Sequence, residues 1–234
     1  MKSDTLQIGP VEIEVTFKEI KNLHLSVHPP YGKVTISSPV FYDIEKVKIY
    51  AATKLAWIKK EQAKIQSQER EEPKLLITQE SHQFLGKRYL LKVIESSRPK
   101  LILKHNNLEL FAIRNATLEQ KRKTLHNWYK KELESLLVKL LIAYAKEMNI
   151  SDFNFGVRKM KTKWGSCSIE KRMLWFNVEL AKKPIECIEY IVVHELVHLL
   201  ERNHNKNFII LMDKFLPNWR IQKKILNELP LGYI

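Results

Sequence analysis

The chain has 234 residues, 44% of them hydrophobic and only 6 glycine, a composition that suits an ordinary globular protein of one large domain or two small ones. Its formal net charge is +14, with 40 lysines and arginines against 26 acidic residues, which favours polyanionic partners or simply a strongly solvated surface. Met1-Lys2-Ser3-Asp4 lacks the apolar stretch of a secretory signal, and no segment reaches the roughly 18 apolar residues that span a bilayer, so a cytoplasmic protein that does not enter a membrane is expected.

From Val11 to about Val40, the alternations Val11-Ile13-Val15-Phe17 and Leu23-Leu25-Val27 predict antiparallel strands, with Pro29-Pro30-Tyr31-Gly32 as a turn. A long charged helix is expected from Asp43 to Glu72, ended by Pro73. Strands are expected at Lys74–Thr78, Arg88–Ile94, Lys100–Lys104 and Leu108–Ile113, the last two joined at Asn106-Asn107. From about Thr117 to Met148 the spacing of Leu125, Trp128, Tyr129, Leu133, Leu136, Leu137, Leu140 and Leu141 predicts a long helix with one apolar face. Strands around Asn154–Met160 and Arg172–Asn177 follow, then a buried helix after Pro184 and two helical segments meeting at Pro217. The expected fold is α+β: an N-terminal antiparallel β-rich region over 1–115 carrying the helix 43–72, then a catalytic region over 116–234, mostly helical with a small sheet.

The buried helix carries His194-Glu195-Leu196-Val197-His198. Histidines at i and i+4 project from one face, one turn apart, so both imidazoles can reach one metal ion. Glu195, beside the first of them, is placed to take a proton from a metal-bound water without being a ligand. Ile188, Ile191, Val192, Leu196, Leu199 and Leu200 make the segment strongly apolar, and polar groups inside it are costly unless something satisfies them. His204 follows six residues after His198, a distance at which a chain leaving the helix can offer a third imidazole. With Glu201 where related motifs have a turn glycine, the helix is expected to continue a little, leaving Asn203 to turn in the left-handed region. Asp213 is the rival third ligand.

These motifs, with Asn203-His204-Asn205-Lys206-Asn207-Phe208, Phe215-Leu216-Pro217-Asn218-Trp219 and Met160-Lys161-Thr162-Lys163-Trp164-Gly165-Ser166-Cys167-Ser168, resemble the YgjP-like predicted metal-dependent hydrolases. More distantly they are similar to the SprT and WLM proteases that act on DNA–protein crosslinks. Lys33–Pro39, Trp57-Ile58 and Phe84–Tyr89 extend the resemblance over most of the chain. It implies a minimal gluzincin-type metallopeptidase, with His194, His198 and His204 as ligands of Zn2+ and Glu195 as general base; a polypeptide is the substrate expected of a peptidase. It implies no settled substrate beyond that.

The segment Lys161–Ser168 is expected at the cleft rim, with a turn at Gly165 between two strands. Cys167 is read as a small structural cysteine, with approach to the metal as the alternative. Cys167 and Cys187 form no CxxC pair and are expected as reduced thiols. Asn177 is a candidate for hydrogen bonding near the cleft, and Arg158, Tyr190 and Lys163 are candidates for stabilising an oxyanion. Lysine and arginine clusters such as Lys121-Arg122-Lys123 and Lys130-Lys131 raise nucleic acid as a partner, although no base-reading motif accompanies them. Two alternatives stand beside the peptidase: a nucleic-acid-associated module with a structural zinc, and an amidase acting on a non-peptide substrate.

Overall fold

The computed structural model describes residues 3–28, 31–67 and 73–229 of the chain. Its secondary structure is α+β, with three mixed sheets and six α-helices among those residues. Contacts divide the chain into two compact units, Met1–Glu71 and Glu72–Gly232.

The first unit is a four-stranded sheet with two helices. Its strands β1 (Ser3–Ile8), β2 (Val11–Lys18), β3 (His24–His28) and β4 (Lys33–Pro39) lie in the order β1-β2-β4-β3. The expected all-antiparallel pairing is corrected at the centre, where β2 and β4 run parallel, Ile13 beside Val34 and Val15 beside Ile36. That register stacks Val11, Ile13, Val15, Val34 and Ile36 on one buried face, closed by Val47, Ala51 and Ile58. β1 was not expected, because as an exposed edge strand it carries little apolar alternation. Pro29 and Pro30 of the expected turn lie outside the described residues.

The long helix expected from Asp43 is two helices, α1 (Ile44–Thr53) and α2 (Leu55–Ser67), and 68–72 lie outside the described residues. Asp43 caps α1 by accepting from the amide of Lys46 at 2.8 Å. At its other end the Thr53 hydroxyl donates to the carbonyl of Tyr50 at 2.7 Å. That carbonyl is the helical partner of the Lys54 amide, which donates to Ala51 instead, and the helix breaks at one residue.

The second unit repeats the same sheet topology. β5 (Ser81–Phe84), β6 (Lys87–Glu95), β7 (Lys100–Lys104) and β8 (Asn107–Ala112) are ordered β5-β6-β8-β7, again with a central parallel pair. The strand expected at Lys74–Thr78 is irregular chain: the amides of Leu75 and Leu76 donate to the Glu80 carboxylate, and Leu76 and Gln79 have positive φ. β5 and β6 join at Leu85-Gly86, both at positive φ. The amides of Leu85 and Gly86 donate to the carbonyls of Ala181 and Lys182 at 2.8 and 3.2 Å, docking this tip against the approach to the histidine helix.

Helix α3 (Leu118–Glu147) opens with a capping box, Thr117 with Gln120, and buries Tyr129, Leu133, Leu137, Leu141 and Ala145 at four-residue spacing. It ends with Asn149 in the left-handed region, the Ile150 amide reaching Ala145 O and the Asn149 amide reaching Lys146 O. A three-stranded sheet follows, ordered β10-β11-β9 from β9 (Asn154–Arg158), β10 (Gly165–Ser168) and β11 (Met173–Asn177). Gly165 opens β10 instead of forming a turn, and the chain reverses after Ser168. Helices α4 (Ile185–Val197), α5 (Lys206–Phe215) and α6 (Trp219–Glu228) complete the unit. Its core gathers Leu133, Leu137 and Leu141 of α3, Leu174 and Phe176 of β11, and Ile188, Val192 and Leu196 of α4. Among the described residues no helix is long and apolar enough to cross a membrane.

Candidate metal centre

α4 is apolar on nearly all sides, and at its C-terminal end the polar residues face a cleft of about 780 Å³. His194 and His198 lie one turn apart, their rings 4.9 Å centre to centre. The helix does not continue as expected: it stops at Val197, and tight turns carry Leu199, Leu200 and Glu201 onto the carbonyls of Leu196 and Val197. Asn203 is not in the left-handed region. The Glu201 carboxylate accepts its amide at 3.0 Å, and its carbonyl accepts the amide of Asn205 at 2.8 Å. Asn205 then caps α5 by accepting from Phe208 at 3.1 Å, and His204 stands immediately before that cap.

The result is convergence. Side-chain nitrogens of His194, His198 and His204 all lie within 4.8 Å of one another, the one such His/Cys/Asp/Glu group among the described residues. Nε2 of His204 is 3.1 Å from Nε2 of His194. Two imidazole nitrogens bound tetrahedrally to one zinc at about 2.0–2.1 Å would be about 3.3 Å apart, so the pair fits. His198 Nδ1 is 3.2 Å from the Glu201 carbonyl; as the donor there it leaves Nε2 with a free lone pair. Phe208, whose place beside the metal site its motif does not reveal, packs its ring 5.0, 4.9 and 4.6 Å from the rings of His194, His198 and His204. Burial, then His198, His204 and Lys223, pushes the His194 ring down to about 3, so it is a neutral donor at ordinary pH. The donor set therefore suits a divalent metal.

Glu195 is only 4% exposed and belongs to no such donor group. Burial pushes its carboxyl up to about 8, with the Lys163 ammonium pulling the other way. Cys167 lines the cleft, but its thiol, pushed up to about 11 by burial and by Glu195, does not join the histidine group. Both cysteines are free thiols. Asp213 is elsewhere: it accepts from Trp219 Nε1 at 2.8 Å and is paired with Arg220. Of the oxyanion candidates only Lys163 lines the cleft. The Arg158 guanidinium lies 4.4 Å over the Trp175 ring, and Tyr190 is buried, its ring 6.2 Å from that of Trp219 and stacked on it.

A family model described as YgjP-like, metallopeptidase domain, matches residues 21–229. A comparison with proteins of curated function finds no match. Among solved structures, the metallopeptidase zymogen of Pyrococcus abyssi abylysin is 19% identical with a TM-score of 0.35, covering 40% of this chain and 98% of that one. The metallopeptidase zymogen of Methanocaldococcus jannaschii jannalysin is 24% identical with a TM-score of 0.34, covering 41% of this chain and 95% of that one.

Proposed function

The chain belongs to the YgjP-like metallopeptidase family, and on that premise we propose a zinc-dependent peptidase in which His194, His198 and His204 hold the ion and Glu195 is the general base. The observation that carries it is the convergence of three imidazoles within 4.8 Å beside a buried carboxylate on the same helix. Bound there, zinc supplies a Lewis acid that polarises a carbonyl and lowers the pKa of water. A carboxylate shielded from solvent is a stronger base than an exposed one, and the positive charge of a bound zinc would favour its ionised form. Glu195 takes a proton from the attacking water on a carboxylate oxygen and returns it to the nitrogen of the leaving amine. His198, held through Nδ1 by the Glu201 carbonyl, would offer Nε2 to the ion. Three donors leave a position for chemistry, whereas a structural site takes four protein ligands.

β10 is an edge strand, and Gly165, Ser166, Cys167 and Ser168 line the cleft. An extended polypeptide pairing along that edge would lie beside the histidines, which favours a peptide over a compact amide substrate. The test is hydrolysis of a denatured polypeptide by zinc-loaded wild type and by Glu195→Gln. The variant should keep about one zinc per chain and lose roughly 10²–10⁴-fold in turnover. Turnover at the wild-type rate would exclude Glu195 as the base.

A second observation favours a second partner. A cleft of about 510 Å³ between α3 and the β7–β8 end of the sheet is lined by Lys100, Lys121, Lys123 and Lys131 with Trp128, and no acidic residue lines it. Four cations around one concavity favour the phosphate backbone of a nucleic acid, bound electrostatically and without sequence preference.

A further inference from the structure

We propose that the segment from Met160 to Ser168 positions the Glu195 carboxylate, with Gly165 as its point of contact and Asn177 as its anchor; this rests on the reading of Glu195 as the base. A Cβ added at Gly165 would meet Glu195 Oε1 at 2.6 Å, Cγ at 2.7 Å and Cδ at 2.9 Å, closer than real Cβ atoms come to their neighbours. The demand is for space and not for backbone freedom, since Gly165 is not among the positive-φ glycines. Nor can the neighbour swing aside freely. Glu195 is buried, and Leu196 and Val197 beside it are fully enclosed in the core, so α4 is fixed where it stands. β10 can lie flat against the carboxylate only because residue 165 has no side chain.

The other half of the device is what keeps β10 there. Asn177, 5% exposed at the end of β11, donates from Nδ2 to the carbonyls of Met160 and Lys163, both at 2.9 Å. Its Oδ1 accepts the amides of Met160 at 3.4 Å and Glu179 at 3.2 Å. Its own amide donates to the Trp164 carbonyl at 2.8 Å, one residue before Gly165. Gly165 in turn pairs with Phe176, the neighbour of Asn177. The Trp164 ring is held as well, with the Lys183 ammonium 5.5 Å over it. One buried amide side chain thus ties both ends of the loop that leads into β10. The strand it fixes bears on the carboxylate from one side while the cleft is open on the other. A carboxylate displaced by even 1 Å from its productive position loses about 10² in rate, so the strap acts on turnover and not on metal binding.

A double-mutant cycle on the zinc-loaded protein tests the contact apart from the chemistry. Gly165→Ala should lower the thermal midpoint in the wild-type background. In the Glu195→Ala background it should do so far less, because the Cγ, Cδ and Oε1 it would strike are gone. Zinc content should be unchanged throughout, while Gly165→Ala loses about 10² in kcat with KM within a few-fold. Equal losses of midpoint in the two backgrounds would overturn the proposal. Should Gly165→Ala fail to fold, Asn177→Ala removes the anchor without adding bulk, and it should lower kcat with zinc retained; an unchanged kcat there would overturn it too. If the midpoints couple but Glu195→Gln turns over normally, the contact is packing alone and the positioning role falls with the base assignment.

Discussion

The two clefts of the Glu72–Gly232 unit both gather charged or ionisable side chains, and they use them in opposite ways. In the histidine cleft the three imidazoles and Glu195 sit on or beside an apolar helix, Glu195 is buried, and the Glu201 carbonyl holds the His198 ring. In the lysine cleft, Lys100, Lys123 and Lys131 reach solvent from the exposed sides of their elements. Lys100 leans on the Phe111 ring at 4.7 Å, and Lys121 reaches the Leu76 carbonyl at 3.5 Å. The volumes are comparable, so size does not distinguish them. The burial of Glu195 does: a buried group keeps its orientation and its full electrostatic strength, whereas solvated cations are screened within about 10 Å at moderate salt. One cleft is built for a few specific atoms, and the other for a diffuse charge.

The largest effect that would break this contrast belongs to His198→Ala. Two remaining imidazoles cannot hold zinc tightly, so metal content should fall from about one per chain to background. Full metal in that variant, by elemental analysis, would remove the site assignment altogether. The contrast is sharpened next by His204 and Asp213, which lie nine residues apart with different partners. His204→Ala should weaken zinc by at least about tenfold in a competition titration with a chelator. Asp213→Ala loses only contacts to Trp219 and Arg220 and should leave the affinity nearly unchanged. The reverse result would put the third donor on α5. The smallest effect belongs to the lysine cleft. Nucleic-acid affinity should fall steeply with salt and be indifferent to sequence, and Lys123→Gln should lower the log–log salt slope by about 1. No binding even at low salt would mean that those lysines serve solvation only.

How far such features can be read from the sequence follows from the same physics. His194, Glu195 and His198 are legible because a helix converts a spacing of four residues into one face. The position of His204 was legible as a distance, but not the turn that delivers it, which depends on the Glu201 carboxylate accepting the Asn203 amide. β1 and β5 were missed because their short, partly polar runs carry little alternation. Leu75-Leu76-Ile77 has the composition of a strand, but its amides turn to Glu80. The parallel centres of the two four-stranded sheets leave no local mark, because pairing partners are set by the crossover and not by alternation. Gly165 was visible as a glycine, but its reason lies thirty residues away at Glu195, in a contact that no periodicity records.

The docked hairpin tip has a mechanical consequence. A side chain at Gly86 would meet Pro184 Cγ at 2.9 Å and Cα at 3.0 Å, and its φ of +76° already disfavours any other residue. Pro184 is the residue from which α4 springs, and ten residues on, at about 1.5 Å each, stands His194. The tip of β5 and β6 thus closes directly on the start of the helix that carries His194 and His198, with no room for a side chain between them. Bulk added there would have to lift the hairpin away from Pro184, since the core around Ile188, Val192 and Leu196 holds α4 in place.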